Sequence, residues 1–171
     1  MKIALGALLF AVSTWAQDPT AITNAACGPW NVSFNVALDQ SLHTPAQPAP
    51  GWALVYVIHD AGTSSLFAYP TTKLGVDGKW VGANHGDSFL SFSVEPGEHH
   101  LCTTLQSSIV DDRVEMAHFT AEAGKVYYFR TRLVLSKSVD LLEMQPVDSD
   151  QGKFLIESYP RSVSTPKGKH K

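Results

Sequence analysis

Charge, cysteine and long apolar runs are all scarce in this chain, and each scarcity excludes something. Only 17% of the 171 residues are charged, and 16 acidic residues outnumber 13 basic ones, so there is no electrostatic footprint for nucleic acid. The shortage of charge is not disorder, because 44% of the chain is hydrophobic, which suits one globular domain with a real core. Catalytic signatures are missing: there is no G-x-S-x-G, H-E-x-x-H, Walker loop or G-x-G-x-x-G. A Ser/His/Asp triad needs only closeness in space, so enzyme activity stays open, although nothing points to it. No cofactor is implied. No long helical periodicity lies between the extended segments, which favours an antiparallel sandwich over a βαβ layout.

The longest apolar run is at the N-terminus. Lys2 gives a positive start, Ile3 to Val12 is apolar, and Thr14-Trp15-Ala16 places small residues where a signal peptidase wants them. Residues 1–16 are therefore expected to be a bacterial secretory signal, too short to span a bilayer comfortably. Its removal takes Lys2 with it and moves the net charge from −3 to −4. Ala25-Ala26-Cys27 resembles the end of a lipid-attachment site, but Asn24 stands where an aliphatic residue is wanted and the apolar run ended well before it. These features argue for a periplasmic or secreted protein without a lipid anchor and without a transmembrane segment after cleavage.

Two cysteines in an exported chain are expected to bond to each other. Cys27 opens a turn-like Cys-Gly-Pro before the first strand, and Cys102 lies inside a later one. Closing this loop would remove about 4 kcal/mol of unfolded-state entropy on the chain-entropy model.

The stretch Ser88 to Gln106 organises the strand reading. Leu90, Phe92 and Val94 alternate with serines, Pro96 and Gly97 supply a turn, and Leu101, Thr103 and Leu105 share a face opposite Cys102. It reads as a β-hairpin. Asn31 to Leu38 alternates as a half-buried strand, and Trp52 to Ile58 is apolar on both faces, a central strand covered on both sides. Leu66 to Tyr69 reads as a short strand, and Gly82 to Asp87 as a loop. Asp77-Gly78 is the strongest hairpin signal, between Thr71–Val76 and Lys79–Gly82. Arg113 to Thr120, Val126 to Leu135 and Val139 to Val147 complete the strands, and Ser149 is placed to cap a short helix through Tyr159, weakened by Gly152. The expected fold is an all-β antiparallel sandwich of eight to ten short strands with one short C-terminal helix. The domain is expected to span 27–163, with 164–171 a disordered basic tail.

Candidate site residues are few. Tyr128, Arg130 and Arg132 share one strand face, a stripe suited to a carboxylate or a sugar, or else a solvated face paired with acids such as Glu115. Trp80, beside the Asp77-Gly78 turn, is a candidate contact or a cover for the sandwich end. His99, His100 and His118 are the candidate metal ligands. His99 and His100 are adjacent in a strand and point to opposite faces, so only one of them can join His118.

Four segments carry a likeness: G-K-W-V-G-A-N, F-S-V-E-P-G-E-H-H-L-C, H-F-T-A-E-A-G-K-V-Y-Y-F-R-T-R, and P-V-D-S-D with the later S-Y-P. Over roughly Gly51 to Tyr159 the chain resembles an uncharacterised family of exported bacterial proteins. The V-E-P-G-E-H-x-L phrase is also similar to surface β-modules with a P-x-G turn. The likeness implies export and association with an envelope glycan or protein, and it supplies no catalytic or binding residue. The expected function is an envelope-associated binding or structural module, with a periplasmic metal-binding protein as the alternative.

Overall fold

The computed structural model describes residues 27–41, 45–61, 70–106, 114–134 and 141–168; the expected signal segment and the expected strand at Leu66–Tyr69 lie outside them. Among the described residues, ten strands and one helix follow in order: β1 (Phe34–Asp39), β2 (Ala53–His59), β3 (Thr71–Val76), β4 (Lys79–His85), β5 (Ser88–Val94), β6 (Gly97–Leu105), β7 (Val114–Ala121), β8 (Val126–Val134), β9 (Leu141–Val147), α1 (Ser149–Ser158) and β10 (Arg161–Pro166). They form a six-stranded sheet, β1-β10-β5-β2-β8-β9, and a four-stranded sheet, β4-β3-β6-β7. The all-β sandwich with a late helix is the fold that the alternating segments predict.

Strand β2 is buried at every position, as a two-sided apolar run requires. Ala53, Val55 and Val57 pack with Leu74, Leu90, Leu101 and Phe129 between the sheets. Leu54, Tyr56 and Ile58 point the other way and pack with Phe89, Tyr128, Leu155 and Ile156 beneath α1. The helix therefore makes a third layer on the outer face of the large sheet.

The organising stretch is corrected. Strands β5 and β6 do not pair: β5 lies between β10 and β2, and β6 between β3 and β7 in the other sheet. The Glu95-Pro96-Gly97 turn is a corner from one layer to the other, with Gly97 at φ 141°. Turn residues cannot distinguish a corner from a hairpin; burial decides it. Strand β5 buries Leu90 and Val94 on one face and Phe89 on the other, so it needs neighbours on both edges and cover on both faces. The sheets are also not wholly antiparallel, since β2 runs parallel to β8 over Leu54–His59 and β10 touches β5 in parallel.

The Asp77-Gly78 hairpin forms as expected between β3 and β4, with both residues at positive φ, 48° and 78°. Strand β4 runs on to His85, past the expected loop start, because Gly82, Ala83 and Asn84 are buried against β3 and β10. The helix is capped by Asp148 rather than Ser149: its carboxylate accepts from the amides of Asp150 and Gln151, both at 2.9 Å. The basic tail does not begin at Ser164. Ser164, Thr165 and Pro166 finish β10 opposite Val36, Asn35 and Phe34 of β1, so their backbone groups are needed to pair that strand.

Residues 27–33 lie across the outer face of the small sheet. Cys27 bonds to Cys102 of β6 with Cα atoms 5.6 Å apart, inside the normal disulfide range. Gly75 lets the segment pass, since a Cβ there would sit 2.7 Å from the Cys27 carbonyl oxygen and 2.9 Å from the Cys102 Sγ. Trp80 Nε1 donates to the Pro29 carbonyl at 2.7 Å. Lys73 Nζ lies over the rings of Trp30 and Trp80 and donates to the carbonyls of Trp30 and Val32.

Helical Gly152 has a packing reason. A Cβ on it would lie 2.3 Å from the Tyr128 ring, which stacks on Tyr56 at 5.5 Å. Helix propensity alone makes Gly152→Ala stabilising by about 1 kcal/mol. The clash with a buried ring predicts the reverse, a loss of about 1–3 kcal/mol from overpacking, read from urea unfolding midpoints at unchanged slope.

Candidate functional site

A cluster of charged and polar groups lies where β2 ends, beside the C-terminus of α1. Asp60 follows β2 directly. Arg130 and Arg132 alternate on the helix-side face of β8, one register step from β2. Their Nε atoms lie 3.6 Å and 3.9 Å from the same Asp60 oxygen. Tyr159, the helix C-cap, donates its hydroxyl to the other Asp60 oxygen at 3.1 Å. Burial, with Asp60 and Asp87 nearby, pushes the Tyr159 phenol up to about 12, so it stays a donor. Asp87 accepts from the Ala61 amide at 2.7 Å. On β9, Gln145 stands opposite Arg130 and Glu143 opposite Arg132. The Arg130 side chain is 13% exposed and the Arg132 side chain 45%. Arg130 Nε is buried and has no hydrogen-bond partner among the described residues.

The stripe read from the sequence is thus divided. Arg130 and Arg132 come together at the surface, but paired with Asp60 rather than Glu115. Tyr128 is not part of that surface: it is 6% exposed and fills the layer beneath α1. The alternation placed it on the right face, but a sequence does not say that a helix will cover that face. Trp80 belongs to the disulfide-held segment rather than to the arginine cluster. Asp60, Asp87 and Tyr159 carry no local signal in the sequence, because each reaches its partners from a segment distant along the chain.

Behind the cluster, on the sandwich side, His59 is completely buried. The apolar run in the sequence ends at Ile58, yet His59 continues the inward phase of Ala53, Val55 and Val57, which is the signal that identifies it. Its Nδ1 lies 2.9 Å from Thr131 Oγ1, and that hydroxyl also faces the Ile58 carbonyl at 3.4 Å. Thr131 then donates to Ile58, which makes His59 Nδ1 the donor to Thr131 and leaves Nε2 an acceptor. Neither Nε2 nor the neighbouring Asn84 Oδ1 has a partner among the described residues. Asn84 Nδ2 donates to the Val57 carbonyl at 3.0 Å.

The histidines of the corner strand separate by face. His99 Nδ1 contacts Asp77 Oδ2 at 2.6 Å and its Nε2 contacts the Glu95 carbonyl at 2.7 Å. Both partners accept, so both ring nitrogens donate and the ring is an imidazolium. Burial lowers its pKa, but those hydrogen bonds and the Asp77 charge outweigh burial and raise it. With both nitrogens engaged, His99 is no metal ligand. His100 and His118 do meet, with ring centroids 5.2 Å apart. No group of three or more His, Cys, Asp or Glu able to hold a metal occurs among the described residues. A shallow groove lined by Asn35, Thr71, His85, Gln106 and Lys167 brings His85 Nδ1 within 2.9 Å of Thr71 Oγ1, but no carboxylate among the described residues bonds to that imidazole.

Comparisons of the chain with protein-family models, with characterised proteins and with solved structures find no match.

Stability should carry the mark of His59. Burial pulls its pKa down to about 4 from 6.5. The unfolded chain binds a proton at that site between these values and the native state does not. Its contribution is fully present above pH 6.5 and falls by about 3 kcal/mol as pH drops toward 4. The His99–Asp77 pair has the opposite slope, because a raised His99 pKa stabilises at low pH and that gain is lost as pH rises through it. Urea unfolding between pH 7.5 and 4.5 should therefore show a loss that His59→Gln flattens and Asp77→Asn steepens.

Proposed function

We propose that this protein is an extracytoplasmic binding module that holds an envelope glycan at the Arg130–Arg132–Asp60 cluster. The observation that carries the reading is the donor excess there. Two guanidinium groups share one carboxylate, Arg130 Nε has no hydrogen-bond partner among the described residues, and Arg132 is half exposed. A guanidinium offers five N–H donors in a fixed plane, and a single carboxylate cannot fill two such sets. Sugar hydroxyls both donate and accept, so they suit a surface where Arg132 alternates with Asp60, Glu143 and Gln145.

One structural fact supports a location outside the cytoplasm. Cys27 and Cys102 are joined in a disulfide, a bond that persists in oxidising compartments. Among the described residues no helix is long and apolar enough to cross a membrane. The N-terminal signal reading points the same way.

Retention of the purified protein on insoluble peptidoglycan, with other envelope glycans as parallel supports, tests the reading. Arg132→Glu should lower retention about tenfold or more, equivalent to about 1.4 kcal/mol, while the melting temperature stays within a few degrees because the side chain is half exposed. Equal retention of Arg132→Glu and the parent protein would remove the cluster from the binding surface.

A further inference from the structure

We infer that the outer face of strands β6 and β7 holds a soft-metal site for Cu(I), built from His100, His118 and Met116. This site is separate from the arginine cluster, and neither proposal depends on the other.

The register places the ligands. His100 stands directly opposite His118, and Cys102 directly opposite Met116. Residues two apart on a strand share a face, so His100, Cys102, Met116 and His118 project from the same side of the small sheet. Leu101, between His100 and Cys102, is in the core, which makes that side the outer one. Cys102 is committed to the disulfide. The two imidazoles are exposed, with centroids 5.2 Å apart and planes tilted by 46°. Neither ring has a hydrogen-bond partner among the described residues, in contrast to His99, whose two nitrogens are both engaged. A metal about 2 Å from each nitrogen requires those nitrogens within about 4 Å of one another, a separation that side-chain rotation at directly opposed positions supplies.

Met116 adds the third donor and the selectivity. It is 46% exposed and belongs to neither apolar core. Its Cα lies about 7 Å along the strand from that of His118, within reach of a thioether on three rotatable bonds. The site lacks the further nitrogen, oxygen or thiolate that a tetrahedral zinc centre needs, since no three His, Cys, Asp or Glu converge among the described residues. Two imidazoles and one thioether form a low-coordinate, soft set, which favours Cu(I) over Zn(II). The platform is fixed, because the disulfide ties β6 to the segment before β1 two residues beyond His100.

The test is anaerobic titration of the full-length protein with Cu(I) against a chromophoric Cu(I) chelator, with Zn(II) titrated in parallel. One Cu(I) per chain is expected. Met116→Leu should weaken Cu(I) binding about tenfold or more and leave any Zn(II) binding unchanged, and the double variant His100→Gln/His118→Gln should lose competition with the chelator. Far-UV circular dichroism and melting curves establish that both variants fold. Because Ag(I) is diamagnetic, its addition to the parent protein should shift the imidazole resonances of His100 and His118 and the methyl resonance of Met116, a readout independent of any variant. Wild-type affinity in the double variant, wild-type Cu(I) affinity in Met116→Leu, or no Cu(I) bound by the parent protein would each overturn the assignment.

Discussion

Strand β2 has no wet face, and the remainder of the architecture follows from that. A strand buried on both sides needs a layer above and a layer below. The small sheet supplies one through Leu74 and Leu101, and α1 supplies the other through Leu155 and Ile156. The strand also needs neighbours on both edges, which β5 and β8 provide, antiparallel and parallel in turn. Gly152 lets the helix sit close enough to press Tyr128 against Tyr56. At its far end the same strand delivers His59 into the sandwich, and Asp60 directly after it joins the arginine cluster, so the core and the candidate binding cluster meet at consecutive residues.

The disulfide constrains the opposite side of the molecule. It holds residues 27–33 on the outer face of the small sheet, where Gly75, Lys73, Trp30 and Trp80 are shaped around that segment. It also leaves the other half of that face open, where His100, His118 and Met116 project. One covalent contact therefore covers part of a sheet and presents the remainder. Closing 75 residues removes about 4 kcal/mol of unfolded-state entropy on the chain-entropy model, a large share of the net stability of a domain this size.

Much of this was legible from residue periodicity, and the failures share a cause. Trp52 to Ile58 announced a doubly covered strand, and Asp77-Gly78 announced its hairpin, because each signal is local and each has one structural meaning. The Pro96-Gly97 turn has two, a hairpin or a corner, and only the burial demands of β5 choose between them. Ser164 to Pro166 read as tail because nothing local shows that β1 lacks a partner. Ser149 lost the cap to Asp148, one residue earlier, whose carboxylate reaches two amides. In the candidate site, alternation put Arg130 and Arg132 on one face but could not show that α1 covers Tyr128 next to them. Tyr159 reaches Asp60 across 99 residues and Asp87 reaches the Ala61 amide across 26, which no local pattern encodes.

The functional account requires that the bond between Cys27 and Cys102 exists in the protein where it works, since that bond both builds the N-terminal cover and fits an oxidising compartment. Free-thiol titration of protein recovered from the exported fraction, denatured without reductant, measures this directly. The account predicts no reactive thiol before reduction and two after it. Two reactive thiols before reduction would contradict it.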